Sequence, residues 1–241
     1  MEYYFTDRSN IDEASGELVV DEFEFNHLIK VLRKKTGDEI TITDGERNIY
    51  HCVIAEISKD KLHCKIISRE FNLYEPGINL KLYLSLLRNM SRFEFAIEKA
   101  VELGVSSIHP VITEHTVNKT SLSSSKMNRI RKIIMGAMGQ SQRCLLTEFK
   151  ETITFQDFIS GTKQNSNKIV MYEYSEDISE IDLEPNTNDV SLLIGPEGGF
   201  SEKEISILKN NNWQVRSLGE RKLRAETAAI ISAYNLITKQ K

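Results

Sequence analysis

Residues 192–201 read Leu192-Leu193-Ile194-Gly195-Pro196-Glu197-Gly198-Gly199-Phe200-Ser201. Three consecutive aliphatic residues predict the end of a buried strand, and the Gly/Pro-rich run that follows must terminate it. Ser201 and Glu204 have the spacing of a capping box, which predicts a helix over Ser201–Asn211. The stretch is therefore strand, glycine loop, helix. Parallel α/β sheets bind ligands just outside the carboxyl ends of their strands, and glycines there let the backbone approach a ligand closely. The spacing matches neither G-x-G-x-x-G nor G-x-x-x-x-G-K-[ST], and Glu197 would repel a triphosphate, so a cationic ligand suits the loop better. The bland alternative is a connection that binds nothing.

A second loop of the same kind follows the last expected strand: Leu218-Gly219-Glu220-Arg221-Lys222-Leu223-Arg224-Ala225-Glu226-Thr227. Glu226 and Thr227 fall in the first turn of a helix expected over Ala225–Thr238, where an acid also favours the helix dipole. Two polar, glycine-bearing loops at one edge of a sheet make a pocket more probable than either alone.

Outward from these loops, short apolar runs predict strands at Leu80–Leu86, Ile108–Ile112, Ile169–Tyr172, Val190–Ile194 and Trp213–Leu218. Helical spacing marks Arg92–Leu103, closed by Gly104, and Met127–Met138, whose apolar residues read as core. Strands alternating with helices predict a mostly parallel, doubly covered sheet. The first ~70 residues differ. A short helix at Glu22–Arg33 precedes strands at Glu39–Thr43 and Arg47–Ile57 flanking Asp44-Gly45, a strong hairpin signal, and a turn at Lys59-Asp60-Lys61 leads into Leu62–Ile67. Phe71–Asn79, with Pro76 and Gly77, reads as the linker, dividing the chain into domains 1–72 and 73–241.

The chain has 241 residues and a net charge of −4, which leans against nucleic acid as a partner. That total hides a division. Residues 1–74 carry ten Lys and Arg against fifteen Asp and Glu, and the remainder 21 against 20. Within the remainder, His115–Thr147 holds Lys119, Lys126, Arg129, Arg131, Lys132 and Arg143 and no acid, while Lys30, Arg33, Lys34 and Lys35 form a second basic cluster. Two basic patches on an acidic chain fit a polyanion held along a path. Solvated helix faces are the competing reading. No apolar run reaches the ~18 residues of a membrane span, and the start MEYYFTDRSN lacks the apolar core of a signal peptide. With three widely spaced cysteines, Cys52, Cys64 and Cys144, a reducing cytoplasmic setting is expected. His51-Cys52 and His63-Cys64 invite a metal test. A turn centred on Asp60 puts Cys64 opposite Glu56 and His63 opposite Ile57, so four ligands do not converge and core cysteines without metal are expected. Trp213 is expected to pack in the interior.

The pair LLIGPEGGFSEKEI and LGERKLRAETAAI closely resembles the signature of the SPOUT-class RNA methyltransferases, and within them the RsmE type, which methylates a uridine of small-subunit ribosomal RNA. His27–Arg33 with Gly37-Asp38 and Asp44-Gly45 is similar to that family's N-terminal PUA-like barrel, and Arg92-Phe93-Glu94 with Lys99 and Glu102–Val105 to the start of its catalytic domain. The resemblance implies an α/β fold: a small N-terminal PUA-like β-barrel that binds RNA, and a C-terminal trefoil-knot methyltransferase domain. It implies a homodimer using S-adenosyl-L-methionine, with no metal, to form N3-methyluridine (m3U) in 16S rRNA within the small ribosomal subunit. Matching the cofactor-loop positions are Ile194, Gly195, Glu197, Gly198, Gly199, Leu218, Gly219, Leu223 and Thr227, with Met171 and Tyr172 bordering the adenine. Lys30, Arg33, Arg88, Arg92 and Arg143 would face RNA.

Uracil N3 must lose its proton to become a nucleophile, so a base or a cation stabilising the anion is needed. Arg224 is the expected stabiliser, and Glu226 its orienting partner or the proton acceptor, with Glu197 as another candidate. The chain departs from the family pattern at His115, where Arg is usual, at Gly139, where an acid is usual, at Arg88, where Lys is usual, and at Ala225, usually Thr. Two other readings stay open: a ribose 2′-O-methyltransferase, and a non-catalytic RNA-binding protein on the same fold.

Overall fold

A computed structural model describes residues 2–175, 177, 183 and 188–238. The chain divides into two compact units, one of residues 1–75 with Met135–Leu146, the other of Pro76–Ile134 with residues 147–241.

The first unit is built on β1 (Tyr3–Phe5), β2 (Ile11–Asp12), β3 (Glu17–Val20), β4 (Glu39–Thr43), β5 (Asn48–Ile57) and β6 (Leu62–Phe71), in the order β1-β4-β5-β6-β3-β2. Only β1–β4 is parallel. The two ends of this path meet where the Thr6 hydroxyl donates to the Val19 carbonyl at 2.6 Å, so the sheet curls round a core of Leu18, Ile42, Tyr50, Ile54 and Leu62. The expected hairpin joins β4 to β5. The Asp44 carboxylate accepts the Glu46 N–H at 2.8 Å and the Asn48 amide at 2.6 Å, and Gly45 takes φ 72°. The expected helix at Glu22–Arg33 divides into α1 (Glu22–Asn26) and a wider helical turn, His27–Val31. Strands β1 to β3, two to four residues each, lie outside the sequence expectations because runs so short carry no readable period.

A bulge in β5 changes the expected register: Cys64 stands opposite Ile54, and His63 opposite Glu56. Cys52 and Cys64 both lie in the core, where burial pushes each thiol up to about 12. Among the described residues no group of three or more His, Cys, Asp or Glu could hold a metal ion.

The segment Met135–Leu146 joins this unit through backbone hydrogen bonds to the β4–β5 hairpin, Arg47 N–H to the Cys144 carbonyl and Leu146 N–H to that of Gly45, and through one buried carboxylate. Glu75 accepts the Arg143 guanidinium at 2.8 and 3.2 Å on one oxygen, and the Cys144 and Leu145 N–H groups, each at 2.9 Å, on the other. A cut in the linker alone does not anticipate this attachment, because the salt bridge spans 68 residues of sequence.

The second unit contains β7 (Asn79–Ser85), β8 (Ser107–Ile112), β9 (Glu148–Phe149), β10 (Ile153–Thr154), β11 (Asn167–Met171), β12 (Asp189–Ile194) and β13 (Gln214–Arg216). All pairings are parallel, in the order β10-β8-β7-β12-β11-β13, with β9 also beside β8. Helix α2 (Met90–Leu103) is capped by Asn89 and ended by Gly104 at φ 107°. Helix α3 (Ser124–Gln140) follows β8, and Ile130, Ile134 and Met138 are buried, as its apolar pattern requires. Helices α4 (Phe155–Gly161) and α5 (Glu202–Asn210) pack Phe158, Ile205 and Leu208 against Tyr83, Val111, Val170 and Leu193. Trp213 joins this cluster, its ring 5.0 Å from that of Phe158, as an interior residue. Helix α6 (Ala225–Thr238) packs against α2, β7 and β12. Among the described residues no helix is long and apolar enough to cross a membrane.

Glu24 on α1 is buried, and that burial, with a smaller push from Glu2 and against a hydrogen bond from the Phe5 backbone, raises its carboxyl from 4.5 to about 7. The folded state therefore favours the protonated acid. The stability this gives is fully present below pH 4.5 and lost as pH rises to about 7. We expect Glu24→Gln to flatten this loss, with the variant's gain over the parent absent at pH 4.5 and reaching on the order of 3 kcal/mol at pH 8. Thermal melts of both proteins across that range check it.

Candidate active site

Parallel pairing sets Met171 beside Ile194 on one side and Arg216 on the other, so β11, β12 and β13 end level. The three loops that follow enclose a cavity of about 460 Å³. The first loop stays close to the sheet, with the Tyr172 N–H donating to the Arg216 carbonyl at 2.9 Å.

The loop after β12 is held from several directions. A Cβ on Gly195 would stand 2.9 Å from the Phe200 ring, so only glycine fits without displacing it. The Glu197 carboxylate accepts the Arg88 N–H at 3.1 and 3.2 Å, which ties this loop to the one after β7. His115 Nδ1 donates to the Gly198 carbonyl at 2.9 Å, and its Cβ would lie 3.0 Å from any Cβ on Gly198. Ser201 and Glu204 form the expected capping box. Glu114 fastens it further, accepting the Ser201 hydroxyl at 2.8 Å and donating its N–H to Glu204 at 2.9 Å. His115 thus has a definite place here: a short imidazole fills the gap and braces the glycine loop.

The loop after β13 turns at Gly219, φ 108°, whose N–H donates to the Ser217 hydroxyl at 3.3 Å. Lys222 reaches across the cavity to Glu173, with Nζ 3.0 Å from the carboxylate. The chain then enters α6.

Of the residues named from sequence, Met171, Ile194, Gly195, Glu197, Gly199, Leu218, Gly219, Leu223 and Arg224 line the cavity, as does Tyr172. Gly198, Glu226 and Thr227 do not. Gly198 faces His115, and the Glu226 carboxylate faces Arg92, with Oε1 3.7 Å from Nε. Arg92, expected to face RNA, is itself a lining residue. Glu173, Phe200, Arg221 and Lys222 are lining residues that the sequence reading missed. Glu173 could have been found from its place two residues past a strand end; Phe200 is identified only by the packing of its ring on Gly195.

The lining combines apolar Met171, Ile194, Leu218 and Leu223 with three glycines and the acidic residues Glu173 and Glu197. That set can hold a flat aromatic group on an apolar floor, with a cationic centre near acids. Arg92, Arg221 and Arg224 add positive charge where an anion could approach.

The remaining basic candidates separate. Lys30, Arg33 and Arg88 are exposed. Arg143 must be withdrawn from the RNA-facing set, because its side chain is 5% exposed and committed to Glu75. Arg129 is paired in a fork with Glu94, at 2.7 and 2.9 Å. Gly139 also has a structural cause. A Cβ there would overlap the Tyr3 carbonyl oxygen of β1, so the acid usual in the related motif has no room.

A profile of the RNA methyltransferase domain matches residues 75–237, and one of the RNA methyltransferase PUA domain matches residues 20–67. The chain is 32% identical over 220 residues to the Ribosomal RNA small subunit methyltransferase E of Mesomycoplasma hyopneumoniae, covering 91% of this chain and 93% of the relative. It is 28% identical to the protein of the same name from Aquifex aeolicus, with the same coverage. Among solved structures, a Legionella pneumophila protein in complex with the cofactor SAM superposes with TM-score 0.85 at 27% identity, covering 99% of this chain and 96% of that one. The Ribosomal RNA small subunit methyltransferase E of Neisseria gonorrhoeae, bound to S-adenosyl methionine, shares the fold with TM-score 0.87 at 24% identity, over 99% and 98% of the two chains.

The contact of Gly139 with β1 gives a direct test. Gly139→Glu should destabilise the protein by about 2 kcal/mol or more, because backbone must move to admit the side chain. The midpoint of urea denaturation measures it, and Gly136→Glu on the same helix, where a Cβ meets open space, serves as control.

Proposed function

Because the chain belongs to the RNA methyltransferase family, we propose that it methylates the ring nitrogen 3 of a uridine in small-subunit 16S ribosomal RNA, using S-adenosylmethionine. The observation that carries this reading is the cavity itself: two glycine loops and a third strand end enclose a space lined by apolar residues and two acidic ones. When bound, S-adenosylmethionine supplies an electrophilic methyl group on a cationic sulfur. Gly195, Gly199 and Gly219 would let the backbone reach it, Met171, Ile194, Leu218 and Leu223 would cover its adenine, and Glu173 and Glu197 would favour its charge. Gly198 acts behind these, its carbonyl held by His115.

Catalysis of this kind is mainly positioning plus stabilisation of developing charge. Arg224 stands exposed at the cavity edge, suited to a carbonyl of an extruded uracil and to the negative charge left when N3 gives up its proton. Glu226, the second candidate for the chemistry, contributes a buried carboxylate beside Arg92. In this reading residues 1–72 serve as the RNA-binding PUA-like domain and residues 73–241 as the methyltransferase domain. The RNA would be met by exposed Lys30 and Arg33 on the first unit and, on the second, by exposed Arg88 with Lys119, Lys126, Arg131 and Lys132. We place the enzyme in the cytoplasm, acting on the small ribosomal subunit as a homodimer. Phe95 on α2 and Ile231 and Tyr234 on α6 are exposed apolar residues on two helices that pack together, which supports a self-associating face.

Tritium transfer from labelled S-adenosylmethionine to small subunits from cells lacking the enzyme, with the product nucleoside identified, tests the reading. N3-methyluridine is expected, and a 2′-O-methyl product would overturn base methylation. Calorimetry that found no binding of S-adenosylmethionine would leave only an RNA-binding role. Arg224→Ala should keep cofactor affinity within about twofold and lower turnover roughly 100-fold. Phe95→Asp combined with Tyr234→Asp should convert a dimer to a monomer in light scattering.

A further inference from the structure

Glu226 is an unusual buried carboxylate. Its residue is 7% exposed, one oxygen is 3.7 Å from Arg92 Nε, and the other is buried without a hydrogen-bond partner among the described residues. The other buried acids are better provided for: Glu75 accepts four hydrogen bonds, and Glu204 accepts the N–H groups of Ser201 and Glu114. A buried carboxylate without hydrogen bonds is costly, so its retention here calls for a use other than stability. Its ion-pair partner, Arg92, lies in the first turn of α2 and lines the cavity together with Arg224, at the start of α6.

Uracil has two carbonyl oxygens flanking N3, and the charge left by loss of the N3 proton spreads over both. One guanidinium serves one side only. We propose, resting on the uridine N3-methylation reading above, that Arg92 is the second catalytic arginine, donating to the uracil carbonyl that Arg224 does not serve, and that Glu226 is the positioning residue that holds it there. In the step, the N3–H bond breaks and its proton passes to solvent. The N3–methyl bond then forms as the sulfur–methyl bond breaks, leaving a neutral thioether. Arg92 and Arg224 stabilise the uracil anion between those events. Two cationic donors also select uracil over cytosine, which presents an amino group in place of one carbonyl. Glu226 keeps the Arg92 guanidinium turned to the cavity through the attraction at 3.7 Å, and does not take the proton itself.

The test compares Arg92→Ala, Arg92→Lys, Glu226→Gln and the double variant Arg92→Ala/Glu226→Gln, on small subunits lacking the methyl group. All should bind S-adenosylmethionine within about twofold of the parent by calorimetry, which also reports that they fold. Arg92→Ala should lower kcat roughly 100-fold and Glu226→Gln about tenfold. The double variant should be no slower than Arg92→Ala, because Glu226 acts through Arg92. The acidic limb of the pH–rate profile should move up by about one unit in Arg92→Ala, since without the cation N3 is harder to ionise. Free guanidinium should restore part of the rate to Arg92→Ala and none to Glu226→Gln, and Arg92→Lys should fall between parent and Ala. Independent of turnover, the cofactor-free protein should prefer an RNA hairpin with uridine over cytidine at the target position, and Arg92→Ala should lose that preference. Additive losses in the double variant would make Glu226 an independent base, and an unmoved pH profile or unchanged base preference would remove Arg92 from the reaction. Either result overturns the proposal. Failure of the parent protein to form N3-methyluridine would instead overturn the function on which it rests.

Discussion

Everything at the candidate active site depends on three parallel strands ending at one level. Met171, Ile194 and Arg216 are register partners across β12, β11 and β13, and parallel pairing sends each chain out of the sheet in the same direction. Three connections must therefore share one small volume above the sheet edge. Bulky loops would fill it. Glycine at 195 leaves the space to the Phe200 ring, and positive φ at Gly199 and Gly219 turns the loops back before they close the cavity.

Such loops need support, because glycine-rich segments lose much conformational freedom on ordering. Support comes from backbone and side-chain groups of other connections: Arg88 to Glu197, His115 to Gly198, Glu114 to Ser201 and Glu204. These are hydrogen bonds to fixed partners and hold geometry. The Lys222–Glu173 pair is different. Its lysine side chain is 67% exposed, so screening leaves it worth on the order of 1 kcal/mol or less. It is better suited to yield when a ligand enters than to define the site.

The buried acids divide along the same line. Glu75 and Glu204 are dehydrated but fully engaged, and they fix chain segments distant in sequence. Glu24 has one backbone hydrogen bond from Phe5, and burial raises its carboxyl to about 7. Among the described residues Glu226 pairs with Arg92 alone, beyond hydrogen-bond distance, and of these four acids it is the one paired with a cavity-lining residue. Stability explains the first two; function is the better account of the last.

Much of this was legible in the sequence, for local reasons. The capping box at Ser201 and Glu204, the cap at Gly104, the Asp44-Gly45 hairpin and the parallel-sheet strands follow from side-chain chemistry within a few residues or from a period along the chain. The glycine loops could be read as lining a pocket for the same reason, and the motif resemblance named the family. What the tertiary structure alone decided involves partners remote along the chain. Arg143 reads as a surface cation until Glu75 buries it, Gly139 as a lost acid until the Tyr3 carbonyl occupies its space, and Cys64 faces Ile54 because a bulge shifts the strand. Glu226 stands two residues from Arg224 in sequence, yet its charged partner is Arg92 on another helix. Local sequence determines which elements form and what each loop can tolerate. Which charges meet is set by packing, because an ion pair depends on distance in space and carries no periodic or neighbouring signal along the chain.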